Sequence, residues 1–335
     1  MDSVFYRRWA IRPRFVTAIA LIAVLLFAAC TGGDAATATP TEEPTAAPTA
    51  TPTATPEPTP EPTPEPVVIA DSDGFELSFE VAPTRIISLS PGVTEILFAI
   101  GAGDQVVAVD EWANFPPETE NLERVKYIDP DPERVLSLTP DLVLMATAQQ
   151  PQVEQLRSLG LTVMFNLEPD SIEGVLDNIL LLGLVSGHTE EAETLVAQMR
   201  VRIAIVEEAI ADIDEGPRVF YELSSDLYTA APDTFIGGTL TLLKAQNVAV
   251  GAESAFPQLT AEALISANPE VVLLADGVWG ESLETVAARP GWDAVDAVIN
   301  QRVYSVDPDT GNRPGPRIVE SIEEIAALLY PDRFP

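Results

Sequence analysis

Two segments of the chain are written on one plan. ERVLSLTPDLVLM, beginning at Glu133, and EALISANPEVVLL, beginning at Glu262, share Glu, Ser, Pro, Val and Leu at matching places, 129 positions apart. In each, the glutamate opens a short helix, and Pro140 or Pro269 ends the turn that follows. The β-branched and leucine run after the proline reads as a buried strand.

The neighbourhoods repeat as well. RIISL from Arg85, PGVTEILFAIG from Pro91 and VVAVD from Val106 read as strand, helix and strand before the first copy; LVLM, PQVEQLRSLG and TVMFN follow it as strand, helix and strand. Around the second copy the same order runs through RVFYEL from Arg218, a helix near GTLTLLKAQ, VAVG, VVLLA, SLETVAA and RVYSVD. Strands alternating with helices imply βαβ units and parallel pairing, so two copies imply an α/β fold of two lobes with mostly parallel sheets. Between the copies, SIEGVLDNILLLGLVSG and HTEEAETLVAQMRVRIAIVEEAIADI carry the longest helical pattern. Leu195, Met199, Ile203 and Val206 recur there at three- and four-residue steps. A long helix joining the lobes predicts a ligand cleft between them and modest closure rather than a wide hinge motion.

The first 66 residues read differently. Arg7, Arg8, Arg12 and Arg14 precede an apolar run from Phe15 to Ala29, shorter than the roughly 20 residues of a membrane span, which is the pattern of an export signal over residues 1–29. Cys30, the only cysteine, excludes an internal disulfide; LLFAAC resembles the lipobox of bacterial lipoproteins, with Phe27 where leucine is usual. An incidental cysteine after a plain signal is the competing reading. Residues 30–66 are rich in Thr, Pro, Ala and Glu and lack the apolar side chains for a core, so they read as a stalk. The expected layout is then a first lobe over 67–170, connecting helices over 171–215 and a second lobe over 216–335.

Net charge separates function classes. Without residues 1–29 the chain has 14 basic and 51 acidic groups, a balance that repels nucleic acid and anionic lipid headgroups. No Gly-x-Ser-x-Gly elbow is present, and the single histidine and cysteine leave little for nucleophilic catalysis, so an enzyme is not expected. GAGD at Gly101 follows a helix and reads as a helix stop, not a phosphate loop. His188 lies at an expected helix start, where a capping or surface role fits better than metal ligation; no metal site is expected.

RIISLSPGVTEILFAIGAGDQVVAVDEWANFPP, ERVLSLTPDLVLM and PGWDAVDAVINQRVYSVD resemble signature stretches of the periplasmic-binding-protein family (class III substrate-binding proteins) that serves importers of cobalamin, haem and ferric siderophores. The resemblance runs in the family's order from Pro83 to Tyr330 and is strongest to cobalamin-binding members. It implies a monomeric, lipid-anchored extracytoplasmic protein that delivers its ligand to an ABC permease dimer with its ATPase. It also implies that one exposed glutamate per lobe docks on the permease, and Glu133 and Glu262 fall on those positions. The competing reading is local. A glutamate in the first helical turn interacts favourably with the helix dipole, by about 0.3–1 kcal/mol, and Asp131 and Thr260 are credible caps of the same turns.

The same resemblance implies ligand contacts. Trp112 in DEWANFPP and Tyr127 in VKYIDPD match aromatic positions against the corrin in cobalamin binders. Phe256 in SAFPQLT matches a further aromatic, and Arg313 in GNRPGPRI sits in the loop that closes the site. Tyr228 and Trp279 are added from their positions near strand ends. Core packing competes for each of them, and Trp292 in GWDAVDAV reads as core. Cobalamin binders often carry a tryptophan after the third strand, whereas this chain has LMATAQQ with Ala146. Haem would call for an axial ligand, which Tyr127 or Tyr228 could supply, so a haem- or ferric-siderophore-binding protein of the same family is the alternative. An anionic siderophore would call for more cleft cations than Arg313 and Lys126. A largely neutral transported ligand, cobalamin or a related corrinoid, is therefore expected, with no resident cofactor; a ligand-sensing surface lipoprotein is the alternative from another class.

Overall fold

The computed structural model describes residues 66–334. The export signal, Cys30 and nearly all of the stalk lie outside the described residues. The first described element is an antiparallel hairpin of β1 (Val67–Ala70) and β2 (Glu76–Phe79), which the sequence reading did not contain. Asp71 builds its turn: Oδ1 accepts from the N–H groups of Asp73 and Phe75 at 3.0 Å each. Its other oxygen pairs with Arg157 and accepts from the Phe165 N–H, tying the hairpin to the neighbouring sheet.

That sheet is wholly parallel. It contains β3 (Ile86–Ser88), β4 (Val106–Asp110), β5 (Glu123–Val125), β6 (Leu142–Met145) and β7 (Val163–Phe165), in the order β5-β4-β3-β6-β7. The second sheet is also parallel, with β8 (Arg218–Glu222), β9 (Gln246–Asn247), β10 (Val271–Leu274) and β11 (Val303–Ser305) in the order β11-β10-β8-β9. Every residue of β3, β6 and β10 is buried, as parallel strands covered on both faces require.

Helices α1 (Pro91–Ala99), α2 (Pro132–Ser137) and α3 (Gln150–Ser158) belong to the first sheet. The pair α4 (Ile172–Ser186) and α5 (Thr189–Ala209) follows. Helices α6 (Phe235–Leu242), α7 (Ala261–Ala267), α8 (Leu283–Ala287), α9 (Asp296–Ile299), α10 (Pro308–Gly311) and α11 (Ile318–Leu329) complete the chain. The series β3-α1-β4-α2-β6-α3-β7 and β8-α6-β9-α7-β10-α8-β11 correspond, and so do their spatial orders β4-β3-β6-β7 and β9-β8-β10-β11. The extra edge strand β5 distinguishes the first. The expected strand at VAVG lies earlier, at Gln246–Asn247, because Asn247 is held there by bonds to the Ala230 carbonyl and the Ala249 N–H, both 2.8 Å.

The repeated phrase is explained by what it ties together. Asp131 and Thr260 cap α2 and α7, each accepting a backbone N–H at 3.1 Å. Both helices are followed by a left-handed residue, Thr139 (φ 47°) and Asn268 (φ 49°), just before the shared proline. The next residue, Asp141 or Glu270, accepts from the backbone N–H of Arg85 (2.9 Å) or Arg218 (3.0 Å) at the start of the adjacent strand. Each arginine side chain then returns to the carbonyl of the left-handed residue, at 2.9 Å in both copies. The two copies thus encode one helix-to-sheet clamp.

They differ in its quality. Asparagine tolerates the left-handed region, whereas a β-branched threonine is strained there. Thr139→Asn is expected to stabilise the protein by roughly 0.5–1 kcal/mol, read as a higher urea midpoint at constant slope. Asn268→Thr should do the reverse and more, since Asn268 also exchanges two hydrogen bonds with Asp296 (2.8 and 2.9 Å). An unchanged midpoint in Thr139→Asn would show that the backbone there is not strained.

The expected connecting helices are a helical hairpin, of which the 21-residue α5 is the long member. α4 ends at Gly187, whose φ of 81° favours glycine, and α5 begins after His188 and packs back along α4. His188 takes the N-cap place of α5 but makes no cap bond; its ring lies 3.2 Å from Gln105. On α5 the fully buried stripe is Val196, Met199, Ile203 and Val206, with Leu195 only half-buried beside it. One apolar cluster runs from the hairpin and α1 through α4 and α5 to β8, α6 and α11, while each sheet has a smaller separate cluster on its other side. Trp292 is core, buried against Phe220 with ring centroids 6.2 Å apart. A shared core of this kind resists wide separation of the two sheets.

Candidate functional site

A cleft of about 540 Å³ opens between the two sheets at the carboxyl ends of their strands, where parallel α/β folds place ligands. The first sheet contributes Ser90, Pro91 and Gly92 after β3, Trp112 after β4, Tyr127 after β5 and Glu168 after β7. The second contributes Val278 and Trp279 after β10 and the segment from Asp307 to Pro314 after β11. Trp112 is 62% exposed, Val278 61% and Trp279 75%. Large apolar side chains left open in a concavity mark a ligand surface, not a core.

Trp112 is set by the end of β4. Asp110 is fully buried, and its Oδ1 accepts from the Trp112 N–H at 2.8 Å, while Oδ2 has no donor. Burial raises its pKa to about 6, partly opposed by that N–H and by Arg313. Tyr127 is pinned through its backbone: Glu111 accepts from its N–H and the buried Gln149 side chain donates to its carbonyl, both at 2.7 Å. Desolvation, with smaller contributions from Glu168 and Asp110, raises the Tyr127 hydroxyl to about 12. The ring therefore presents a neutral phenol to the cleft. Ala146 is buried and donates its N–H to the same Gln149 (2.7 Å); it supports the Tyr127 loop without lining the cleft.

Arg313 lines the cleft, but its guanidinium is already occupied. It meets Glu95 Oε1 at 3.2 Å, Asn114 Oδ1 at 2.7 Å and Asp309 at 2.6 Å. Glu95, whose side chain is 2% exposed, receives two further bonds from Arg317 at 2.8 and 2.7 Å. Asn114 also donates to Asp309 at 2.8 Å. Gly92 sits where an added Cβ would lie 3.1 Å from the Pro314 carbonyl oxygen, so α1 and the segment after α10 are in close contact. Arg313 is thus a strut between α1 and the C-terminal segment as well as a wall residue.

Behind Trp279, Arg289 grips the buried Glu222 with two bonds of 2.6 and 2.5 Å, while neither carboxylate oxygen of Asp276 has a donor. Burial raises the pKa of both acids.

The cleft brings together Trp112, Tyr127, Trp279 and Arg313 from the sequence-based set. Phe256 and Tyr228 are exposed but lie outside its lining: Tyr228 bridges to Ser224 and Gln258 in the loop between β8 and α6. Lys126 is exposed and also outside it. Sequence reasoning missed Glu95, Asp110, Asn114, Asp309 and Arg317. Two signals were present, a lone carboxylate inside the apolar PGVTEILFAIG and a pair of arginines four residues apart in GNRPGPRI. Glu133 and Glu262 are exposed, and neither side chain forms an ion pair among the described residues. Also among the described residues, no His, Cys, Asp and Glu grouping could hold a metal ion, and no helix is long and apolar enough to cross a membrane.

The arrangement offers a ligand two exposed aromatic walls across one cleft. Known proteins agree with that reading. Residues 86–310 match the family described as periplasmic binding protein. The uncharacterized ABC transporter substrate-binding lipoprotein YvrC of Bacillus subtilis (strain 168) is 36% identical over 80% of this chain and 87% of its own length. A cobalamin-binding protein of Halobacterium salinarum (strain ATCC 29341 / DSM 671 / R1) is 32% identical over 78% of this chain and 73% of its own. The solved structure of the periplasmic heme-binding protein RhuT from Roseiflexus sp. RS-1 superimposes with a TM-score of 0.67 at 27% identity, over 75% of this chain and 99% of that one. With two parallel sheets, a shared core and an aromatic cleft at their strand ends, the chain belongs to the periplasmic binding proteins, the extracytoplasmic substrate-binding components of ABC importers.

Proposed function

We propose that this protein captures cobalamin or a related corrinoid and delivers it to an ABC permease and its ATPase. The observation that carries the reading is the pair of exposed tryptophans on opposite sides of one cleft, Trp112 from the first sheet and Trp279 from the second. Such a pair grips a broad, largely apolar ring on both faces. One feature supports a corrinoid over carboxylate-bearing haem or an anionic ferric siderophore: the absence of a free cation among the lining residues, since Arg313 is paired. The cobalamin-binding relative supports it too.

Trp112→Ala and Trp279→Ala are each expected to weaken cyanocobalamin binding by about 10- to 100-fold, the affinity equivalent of losing one aromatic face. Tryptophan fluorescence quenching measures this. Phe256→Ala, outside the lining, should leave the dissociation constant within about twofold. Equal affinities in all three variants would sink the assignment of the cleft.

The exposed glutamates on α2 and α7 are read as the permease contacts, one from each half. Glu133→Ala with Glu262→Ala should leave ligand affinity unchanged and reduce transporter-coupled uptake at least about tenfold. Normal uptake would leave these residues with helix stabilisation alone. Membrane attachment is assigned to lipidation of Cys30, which an intact-mass measurement of the detergent-extracted chain would reveal or rule out.

A further inference from the structure

The cleft holds two carboxylates without a cation. Glu168, after β7, makes no side-chain hydrogen bond or ion pair among the described residues; its backbone N–H alone is held, by Thr147 at 3.2 Å. Asp307, after β11, uses one oxygen to accept from the Asp309 N–H at 2.8 Å and has no ion pair. The two stand on different sheets, so one faces the ligand space from each side. The cation of the lining, Arg313, is engaged by Glu95 and Asp309. The buried Asp110 beneath Trp112 adds to the same negative field, which is felt at Tyr127 from both Glu168 and Asp110. Glu168 is exposed to the cleft and desolvation raises its pKa, so a ligand that displaces its water must bring a donor in return.

We propose that Glu168 and Asp307 set the chemical selectivity of the cleft: they admit macrocycles whose peripheral groups are primary amides, and they exclude macrocycles that carry carboxylates. A carboxamide edge offers N–H donors to both acids, whereas a ring carboxylate meets like charge on either side of a gap that water leaves when the ligand enters. The selectivity rests on the corrinoid reading above and goes beyond it, because the aromatic walls alone would accept an amidated ring and its acid equally.

The test compares two corrinoids with the same ring and cobalt ligands, dicyanocobinamide and dicyanocobyrinic acid, which differ in amide against carboxylate periphery. Titrations use the full chain and the double variant Glu168→Gln, Asp307→Asn. The natural protein is expected to favour the amide form by at least about 30-fold, and the ratio should fall to below about threefold in the variant. Added salt should also narrow the ratio in the natural protein by strengthening acid-form binding, a readout that does not depend on the variant folding. Corrinoid binding with equal affinities for both forms would overturn the selectivity and leave the corrinoid reading standing. A ratio unchanged by the substitutions and by salt would assign the preference to other groups and overturn it as well. Binding of haem, with its two carboxylates, and of neither corrinoid would overturn both.

Discussion

Glu95→Ala is expected to cost the fold about 3–5 kcal/mol, the usual loss when one partner of a buried charge cluster is removed. The Glu95 side chain is 2% exposed and the two guanidinia that it holds are 14% and 15% exposed, so water cannot replace it. Arg313 would keep Asp309 and Asn114, but Arg317 would keep only the Asp309 carbonyl at 3.1 Å. Glu95→Gln retains the shape and one acceptor and should lose about half as much. Urea denaturation at constant slope gives both values. A loss below about 1 kcal/mol for alanine would mean that the arginines re-pair elsewhere and that Glu95 is no keystone between α1 and the C-terminal segment.

Asp110→Asn should act in the opposite direction, and only above a definite pH. The folded-state pKa, about 6, lies above the ordinary 3.8. The folded protein therefore holds this proton more tightly than the unfolded chain does. The contribution of the group to stability is fully present below pH 3.8 and is lost as the pH rises through 6. At pH 8 the difference of roughly two pKa units corresponds to about 3 kcal/mol of penalty. Asparagine carries no charge and keeps an oxygen for the Trp112 N–H, at the cost of about 1 kcal/mol for its unmatched NH2 group. A net gain of about 2 kcal/mol is expected at pH 8, turning into a loss of up to about 1 kcal/mol at and below pH 4. Thermal midpoints at the two pH values measure it; the same shift at both would show that Asp110 is not titrating.

The paired architecture was legible because its determinants are local. LVLM and VVLL follow a proline and a turn in both halves, and burial of all eight residues follows from their uniformly apolar composition. The elements that escaped are those defined by partners. β5 is only Glu-Arg-Val, with one buried residue, and becomes a strand by pairing with β4. β9 is the polar pair Gln246–Asn247, a poor strand former by composition, fixed by its register with Arg218 and Val219. The hairpin β1–β2 depends on Asp71, whose side chain reaches residues more than 80 positions away.

The site divides along the same line. Trp112 and Tyr127 were named from the family resemblance and Trp279 from its place near a strand end, and all three line the cleft where the strand ends of both sheets converge. Tyr228 and Phe256 also follow strands, yet the loop after β8 pairs with the segment after β9 through the Tyr228–Gln258 bridge, and both residues lie outside the lining. Arg313 lines the cleft, and besides Asp309 its partners Glu95 and Asn114 lie 218 and 199 positions earlier in the chain. No spacing rule connects such residues. The scarcity of cleft cations was legible in the sequence; that the one lining arginine is itself paired was not, because its partners come from distant segments.

The most direct measurement is a calorimetric titration of the purified protein with cyanocobalamin, run beside haem and a ferric siderophore. The account predicts saturable one-to-one binding of the corrinoid, with haem and the siderophore much weaker. No heat from cyanocobalamin together with saturable binding of haem or the siderophore would contradict it, leaving a periplasmic binding protein whose two tryptophans serve a different ring.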